Sequence, residues 1–353
     1  MTYVLWTVGS FVFLCLIAML FEIPEWKRAL RVGQKAMESG DFVYAEHCLL
    51  TALRWAEEDE VGAAGRATIY SHLVSCYARL HRLDEAIRHS EEELAFVKEQ
   101  DNGRGLLIAE VLSDLVLLHH ENGSLEKAEQ LCLEVMELRE KAKGRESIEY
   151  AIAMKNLAEI RLSRKKDAEV ESLLRSALTI LDMRLGGEHP ELAEVLTTIA
   201  EFYRQKGQKD DAIPFFQRAI HMQKRFLGKE TSELADLLNN LGAIRTEKGQ
   251  YDLALACYQE ALAVCQEQSG QEDNRLAPIL NNLATLYMKS QRWHEAEEAF
   301  AKALRVGEQD PMQESANIIT LLENYAGLLE RLNKKDEAKS LRERVSTIRA
   351  NNT

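Results

Sequence analysis

The chain has 353 residues, with 57 Asp and Glu against 44 Lys and Arg, and its formal net charge is −13. This acidic balance argues against nucleic acid as a partner, because binding to phosphates calls for a basic surface. The six cysteines form no C-x-x-C pair and show no metal-ligand spacing. We therefore expect reduced, buried thiols, and we predict neither a metal site nor a cofactor.

The first segment of the chain is apolar. Residues 3–21, YVLWTVGSFVFLCLIAMLF, carry no charged side chain. Because an α-helix rises about 1.5 Å per residue, a helix of this length comes close to the ~30 Å thickness of a bilayer's hydrocarbon core. We predict a transmembrane anchor helix over residues 3–21.

Three alternatives to a retained anchor stay open. A cleaved secretory signal normally has a basic start and an A-x-A-like cleavage site, and this segment has neither. A lipoprotein signal at Cys15 would need small residues where Phe13 and Leu14 stand. The third alternative is a buried core helix, although the segment lies outside the repeat pattern that follows it.

Basic residues follow the apolar segment at Lys27, Arg28, Arg31 and Lys35, whereas only the terminal amine precedes it. Lys and Arg are enriched on the cytoplasmic side of membrane spans. The pattern predicts a single-pass membrane protein with its amino terminus outside and its remaining residues in the cytoplasm. Pro24 favours a break between the anchor and the next helix.

A small residue then recurs at a nearly constant interval along the rest of the chain. The spacing is 41 residues once and 42 residues in the other six intervals. These positions are Ala45, Ala86, Ala128, Val170, Ala212, Ala254, Ala296 and Ala338. Around each position a similar pattern returns, and its clearest copy is Leu196, Ile199, Ala200, Tyr203, Gly207, Ala212, Phe216 and Ala219.

Each copy of this pattern predicts two antiparallel helices. Its apolar residues fall three and four apart, as one stripe of an α-helix requires, and the stripe breaks at Gly207. Small residues let two backbones approach, so we expect the closest crossings at Ala200/Ala212, Gly242/Ala254 and Ala284/Ala296. Repeats of this length stack into solenoids. We predict an all-α solenoid of about eight hairpins over residues 25–346, followed by a polar tail at 347–353.

The recurring positions resemble those of the tetratricopeptide repeat. The 42-residue period resembles the long repeats of kinesin light chains, as do the segment LGGEHPELA at 185–193 and the segments LNNL at 238–241 and 280–283. The resemblance implies a right-handed superhelix with a concave groove that binds proteins or extended peptides.

No catalytic motif was found, and we predict that the protein is not an enzyme. The sequence has no Gly-rich phosphate loop, H-E-x-x-H or G-x-S-x-G. The pair His119–His120 has no third ligand placed by sequence, so we interpret both as helix-surface residues. The acidic run Glu91–Glu93 has no partner for a catalytic pair and is interpreted as a solvated face.

Polar residues recur two positions before the small residue of each first helix. They are Asn156, Thr198, Asn240, Asn282 and Asn324, and Asn239 and Asn281 precede two of them. Asparagine is a mediocre helix former, so its recurrence calls for a reason. The resemblance implies that this position lines the concave groove, where an amide would bind a peptide backbone. In the alternative, these amides cap neighbouring turns or face water. The other groove candidates are Lys155, Glu159, Glu201, Arg204, Thr285, Lys289 and Arg331.

The predicted function is that of a membrane-anchored scaffold or adaptor, which recruits or assembles partner proteins at the membrane. A peptide-responsive sensor is one alternative, although no output domain is visible. An accessory subunit of a membrane protein complex is another alternative.

Overall fold

A computed structural model of the chain describes residues 23–100, 105–227, 232–269, 275–308 and 316–351. These residues form sixteen α-helices and no strand. The helices are α1 (Glu25–Glu38), α2 (Phe42–Glu58), α3 (Ala63–Arg79), α4 (Leu83–Gln100), α5 (Gly105–Glu121), α6 (Leu125–Lys143), α7 (Ile148–Ser163), α8 (Val170–Leu185), α9 (Glu191–Gln205), α10 (Lys209–Met222), α11 (Ser232–Glu247), α12 (Tyr251–Ser269), α13 (Leu276–Lys289), α14 (Trp293–Gly307), α15 (Ala316–Arg331) and α16 (Lys335–Asn351). Odd-numbered helices are the first helices of repeats 1 to 8, and even-numbered helices are the second. The all-helical prediction is confirmed, whereas the right-handed superhelix stays a prediction.

The turn after the first helix of every repeat contains one left-handed residue and one shared hydrogen bond, and in repeat 4 a second left-handed residue, Glu169 with φ 77°, follows before α8 begins. The shared left-handed residue has φ between 55° and 80° in the eight repeats and is Gly40, His81, Gly123, Lys165, Gly207, Gly249, Gln291 or Asn333. The next residue donates its backbone N–H to the carbonyl five residues earlier, as Gln208 does to Tyr203 at 2.9 Å. This bond satisfies a carbonyl that the end of the first helix would otherwise leave unpaired.

In repeats 1 to 3 and 5 to 8, the two helices pack against each other beside the small residues that define the repeat. All eight are buried. In repeat 6 the helices approach so closely that a Cβ on Gly242 would lie 2.7 Å from Cε1 of Tyr258. Phe216, Tyr258 and Phe300 stand at equivalent positions and are fully buried. Small and large residues therefore divide the space between the helices of repeats 5 to 7.

Ion pairs join successive repeats next to these packing positions. The carboxylate of Glu46 in repeat 1 binds Arg82 of repeat 2 at 2.8 Å. Glu129 of repeat 3 binds Arg161 of repeat 4 at 3.2 Å and also accepts a hydrogen bond from Arg164. These contacts are nearest-neighbour interactions, which contribute to the stability of a repeat array together with the intrinsic stability of each repeat.

The chain divides into two compact units, Met1–Asp167 and Ala168–Thr353. The first contains α1 to α7, with a core around Leu49, Ile69 and Leu73. The second contains α8 to α16, and its core includes Leu174, Phe216 and Phe300.

Three predictions about the chain's ends and cysteines can be compared with the structure. The predicted anchor over residues 3–21, with Cys15, lies outside the described residues. Among the described helices, none combines the length and apolar character that a membrane span requires. Helix α16 continues to Asn351, beyond the predicted solenoid end at residue 346, because Ile348 packs against Ile318 and Leu322. The five described cysteines are free and buried.

Two surface predictions in the first unit were wrong. His119 is only 9% exposed and Glu93 only 4%. The repeat register explains why both are buried. His119 occupies the position that Tyr203 has in repeat 5, and Glu93 occupies the position that Ala219 has in that repeat. Nearby Ser90 replaces Phe216. In the described part of the chain, every buried side-chain nitrogen or oxygen without a hydrogen bond belongs to Arg66, His89, Ser90 or His119. His120 is half-buried and its Nε2 lies 2.8 Å from Oγ of Ser163.

Candidate functional site

The predicted asparagines of the second unit form hydrogen bonds between successive first helices. Asn282 on α13 donates from Nδ2 to Oδ1 of Asn239 on α11 at 2.9 Å. Asn324 on α15 donates in the same way to Asn281 on α13 at 3.1 Å. We call Asn239, Asn240, Asn281, Asn282 and Asn324 the amide row. Each of these two bridges joins the first helices of successive repeats.

The bridges fix the amides and leave the second polar atom of each bridging side chain without a partner among the described residues. An asparagine side chain offers two donor hydrogens and an acceptor oxygen. In the Asn239–Asn282 bridge, no described residue donates to Oδ1 of Asn282 or accepts from Nδ2 of Asn239. The Asn281–Asn324 bridge leaves the equivalent atoms open. All of these side chains are half-buried. Each bridge therefore holds in place one side-chain NH2 group and one side-chain oxygen that no described residue engages.

Glu201 and Arg204 extend the row toward α9. Asn240 donates from Nδ2 to Oε1 of Glu201 at 2.8 Å. The other carboxylate oxygen of Glu201 accepts from Nε of Arg204 at 2.7 Å. Arg204 is thus engaged by Glu201, and a ligand carboxylate would have to compete for it.

The remaining predicted site residues differ in accessibility. Thr198 is 8% exposed, and its hydroxyl donates to the carbonyl of Glu194 within α9. In the first unit, Asn156 is half-buried, and the Lys155 side chain is 12% exposed with its Nζ 3.5 Å from Glu159. The structure therefore offers Asn156 to a ligand more readily than Thr198 or Lys155.

A cleft lies between α13 and α15, beside Asn324. Its volume is about 310 Å³, and it is lined by Thr285, Met288, Lys289, Glu323, Asn324, Gly327 and Arg331. Four residues predicted separately from the sequence, Thr285, Lys289, Asn324 and Arg331, are brought together here. Lys289 and Arg331 are exposed and form no ion pair within the described residues. Glu323 is engaged by Arg349 at 2.8 Å. The cleft therefore has two unpaired cations beside a fixed amide.

Gln34 and His72 form an equivalent bridge that the sequence prediction missed. Nε2 of Gln34 on α1 lies 2.8 Å from Nε2 of His72 on α3. These residues occupy the register positions of Glu201 and Asn240, and burial lowers the pKa of His72. The register was the signal that could have found them, because it relates residue 72 to residue 240 although the residue types differ. No cluster of possible metal ligands was found among the residues that the structure describes.

Comparisons with known proteins agree with this architecture. A tetratricopeptide-repeat profile matches residues 107–183, 233–287 and 275–351, which together exceed half of the chain, and a second profile of the same repeat matches residues 192–233. No curated protein sequence matches significantly.

Several solved structures are similar in fold. The apo form of the quorum sensor NprR from B. thuringiensis has a TM-score of 0.67 and 10% identity, over 98% of this chain and 94% of its own. BtubC (BKLC) from P. vanneervenii has a TM-score of 0.56 and 23% identity, over 64% of this chain and 91% of its own. A Podosopora anserina putative kinesin light chain with nearly identical TPR-like repeats has a TM-score of 0.52 and 18% identity, over 60% of this chain and 100% of its own. At these identities, the similarity establishes the fold alone. With the profile matches and the repeated hairpins, it follows that the chain belongs to the tetratricopeptide repeat family.

Proposed function

We propose that this protein is a membrane-anchored scaffold or adaptor that binds an extended segment of a partner protein along its amide row. The observation that carries the proposal is the open donor and acceptor at each bridge. A peptide backbone presents one N–H and one C=O per residue, and an extended peptide cannot satisfy them internally. A row of fixed amides provides matching partners without requiring a particular side-chain sequence.

The bridging also favours binding energetically. A free asparagine side chain loses rotamer freedom when it binds a ligand, and this loss reduces affinity. Because Asn282 and Asn324 are already held by Asn239 and Asn281, part of that loss has occurred during folding. The cleft at Lys289 and Arg331 would add preference for a partner with an acidic residue or terminal carboxylate at that point.

Membrane attachment is the second part of the proposal, and it is supported by the sequence of residues 3–21 and by the cations that follow. We place the repeats in the cytoplasm. In sealed cells, a single cysteine introduced near the carboxyl terminus should resist an impermeant thiol reagent. Labelling from outside would reverse the orientation, and a mature chain that starts after residue 18 would replace the anchor with a cleaved signal.

Binding along the amide row is tested with peptides that are selected from a random phage-displayed library against the full chain in nanodiscs. Their affinities are then measured for the Asn282→Ala/Asn324→Ala variant by fluorescence anisotropy. A net contribution of about 0.5–1.5 kcal/mol per hydrogen bond predicts binding weaker by about 10-fold or more. The matched control is Gln217→Ala/Gln259→Ala, which removes two exposed amides from second helices.

The control should bind the selected peptides like the natural chain. Circular dichroism must show that the Asn282→Ala/Asn324→Ala variant keeps its helix content at the assay temperature. If this variant is folded and binds the peptides as well as the control variant does, the amide row is not the binding site. In that case the second helices or the loops become the better candidates.

A further inference from the structure

Helix α1 differs on one face from the first helices of repeats 2 to 8. In those later helices this face is directed toward the preceding repeat. Arg28 occupies a register position that is apolar and buried in repeats 2 to 8, where it holds Ile69, Val111, Ala153, Val195, Leu237, Ile279 and Leu321. Lys35 occupies another such position, where the later repeats hold Cys76, Leu118, Ile160, Phe202, Ile244, Leu286 and Leu328. Between them, Val32 is 42% exposed, although its equivalent Leu73 is fully buried. A face that packs between repeats elsewhere is therefore charged and open on α1.

Four cations lie together on this open side of α1. With 100° between successive helical residues, Lys27, Arg31, Lys35 and Arg28 fall within an arc of about 100°. We call these four residues the basic arc. The buried residues Leu30, Gly33 and Ala36 lie on the opposite side of the helix. Helix α1 is thus amphipathic, with its positive charge directed away from the core.

The cations of the basic arc are not neutralised within the described part of the chain. All four are exposed, and none forms an ion pair with a described residue. The cations of the last helix provide a contrast, since Arg342 binds Glu330 at 2.8 Å and Arg349 binds Glu323 at 2.8 Å. In a chain with a net charge of −13, four cations without an ion pair to any described residue form a local charge reversal on this helix of 14 residues. They can bind an anionic surface without first breaking an ion pair within the described part of the chain.

We propose that the basic arc binds the anionic headgroups of the membrane surface and holds the first repeat against it. This inference rests on the proposed anchor. Phe21 and Glu25 are four residues apart, so even an extended connection places the start of α1 within about 14 Å of the end of the apolar segment, and Lys27 and Arg28 lie in the first turn of this helix. Basic clusters next to a membrane span are attracted by anionic lipids over about one Debye length. The exposed apolar side chains Ile23 and Val32 suit the boundary between headgroups and acyl chains.

The experiment uses the full chain in nanodiscs of either phosphatidylcholine alone or phosphatidylcholine with phosphatidylglycerol. A fluorescent probe on Val32→Cys, in a Cys15→Ser background, reports distance to the bilayer through quenching by headgroup-labelled lipid. The five described cysteines are buried and should react slowly with the probe reagent. Phosphatidylglycerol should raise the quenching several-fold, and high salt should reverse the increase.

The test variant is Lys27→Gln/Arg28→Gln/Arg31→Gln/Lys35→Gln, which should lose the lipid dependence. The control is Lys141→Gln/Lys165→Gln/Lys335→Gln/Lys339→Gln, which removes the same charge from exposed sites elsewhere and should keep it. Equal quenching in both kinds of nanodisc, or equal lipid dependence in both variants, would overturn the proposal. The proposal would also be overturned by dimers that mass photometry detects in the natural chain and not in the test variant. A second copy of the chain would then occupy the basic arc.

The same measurements separate the anchor from the arc. If the anchor fails, the chain will not enter nanodiscs of phosphatidylcholine alone. The arc is then measured by cosedimentation with phosphatidylglycerol vesicles, where the Lys27/Arg28/Arg31/Lys35 variant should bind at least 10-fold more weakly than the control. If the chain enters neutral nanodiscs and the quenching does not change with phosphatidylglycerol, the anchor is supported and the proposal for the basic arc is wrong.

Discussion

The side chain of Asn282 donates to the amide oxygen of Asn239 at 2.9 Å and thereby joins the first helices of repeats 6 and 7. The bond explains why asparagine can recur on helices that it does not favour intrinsically. It couples neighbouring repeats and also fixes the orientation of the amides that we propose bind a ligand. Under that proposal the same side chains contribute to stability and to binding, so variants of the amide row have to be measured for both.

The coupling can be measured directly with a double-mutant cycle. Asn239→Ala and Asn282→Ala should each lower the free energy of unfolding, and the double variant should cost less than the sum. We expect an interaction energy of about 0.5–1.5 kcal/mol from chemical denaturation followed by circular dichroism. Strict additivity would mean that the bridge contributes nothing to the coupling of the repeats.

The repeated turn provides a second prediction. Gly207→Ala should lower the free energy of unfolding by about 1 kcal/mol, because φ is 73° there and a Cβ is strained in that conformation. Lys165→Gly, at the equivalent turn with φ 57°, should raise it by about 0.5–1 kcal/mol. Thermal denaturation of both variants would show opposite shifts. A shift in the same direction would contradict the equivalence of the two turns.

Helix crossing in repeat 6 supplies a third prediction. Gly242→Ala places a Cβ 2.7 Å from the ring of Tyr258, which is fully buried, and should cost about 1–3 kcal/mol. The matched control is Gly327→Ala, also within a first helix, where a Cβ meets nothing within 4 Å. The control should be neutral or more stable by up to about 1 kcal/mol, since Ala is the better helix former. A Gly242→Ala variant that is as stable as the Gly327→Ala control would show that the crossing has room for a side chain.

Most of the fold could be predicted because its determinants are local and repeated. The spacing from Ala200 to Ala212 to Ala219 fixes two helices and the face on which they meet. The turn at Lys165 or Gln291 was harder to predict, because the surrounding contacts impose a left-handed conformation that the residue types do not favour. The extension of the last helix was also hard to predict, because Ile348 packs against residues that are distant in sequence.

The candidate site was predictable in position but not in its contacts. The register identified Asn240 and Asn282 as equivalent, yet it contained no information on which neighbour each amide binds. That choice depends on distances between helices from different repeats. For Glu93, the register pointed to the buried position of Ala219, whereas the acidic run around it suggested solvent. The packing position prevailed, and the chain buries a carboxyl group there.

Buried Glu93 leads to a prediction about pH. Burial raises the pKa of this carboxyl group from 4.5 to about 8, and the carboxylate of Asp114 adds to the increase. Folded chains therefore keep a proton that unfolded chains release between about pH 4.5 and pH 8. Because the unfolded state binds fewer protons there, the free energy of unfolding should fall as pH rises through this window, by at most about 1.4 kcal/mol per pH unit.

Urea denaturation across that window tests the role of Glu93. Glu93→Gln should flatten the pH dependence, and Glu93→Ala should also stabilise the protein by restoring the small residue of repeat 5. Glu91→Gln is the control, since Glu91 is exposed and should leave the slope unchanged. An unaltered slope in Glu93→Gln would assign the pH dependence to another group.

Site-specific photo-crosslinking in native membranes tests most directly whether partners bind along the amide row. A photoreactive residue replaces Met288, which lines the cleft beside Asn324, and in a separate variant it replaces Gln259, which is exposed on α12. Mass spectrometry should find partner segments crosslinked at position 288, and Asn282→Ala/Asn324→Ala should reduce their yield about 10-fold. Crosslinks confined to position 259, or a yield at 288 that does not respond to the loss of the two asparagines, would contradict binding along the amide row.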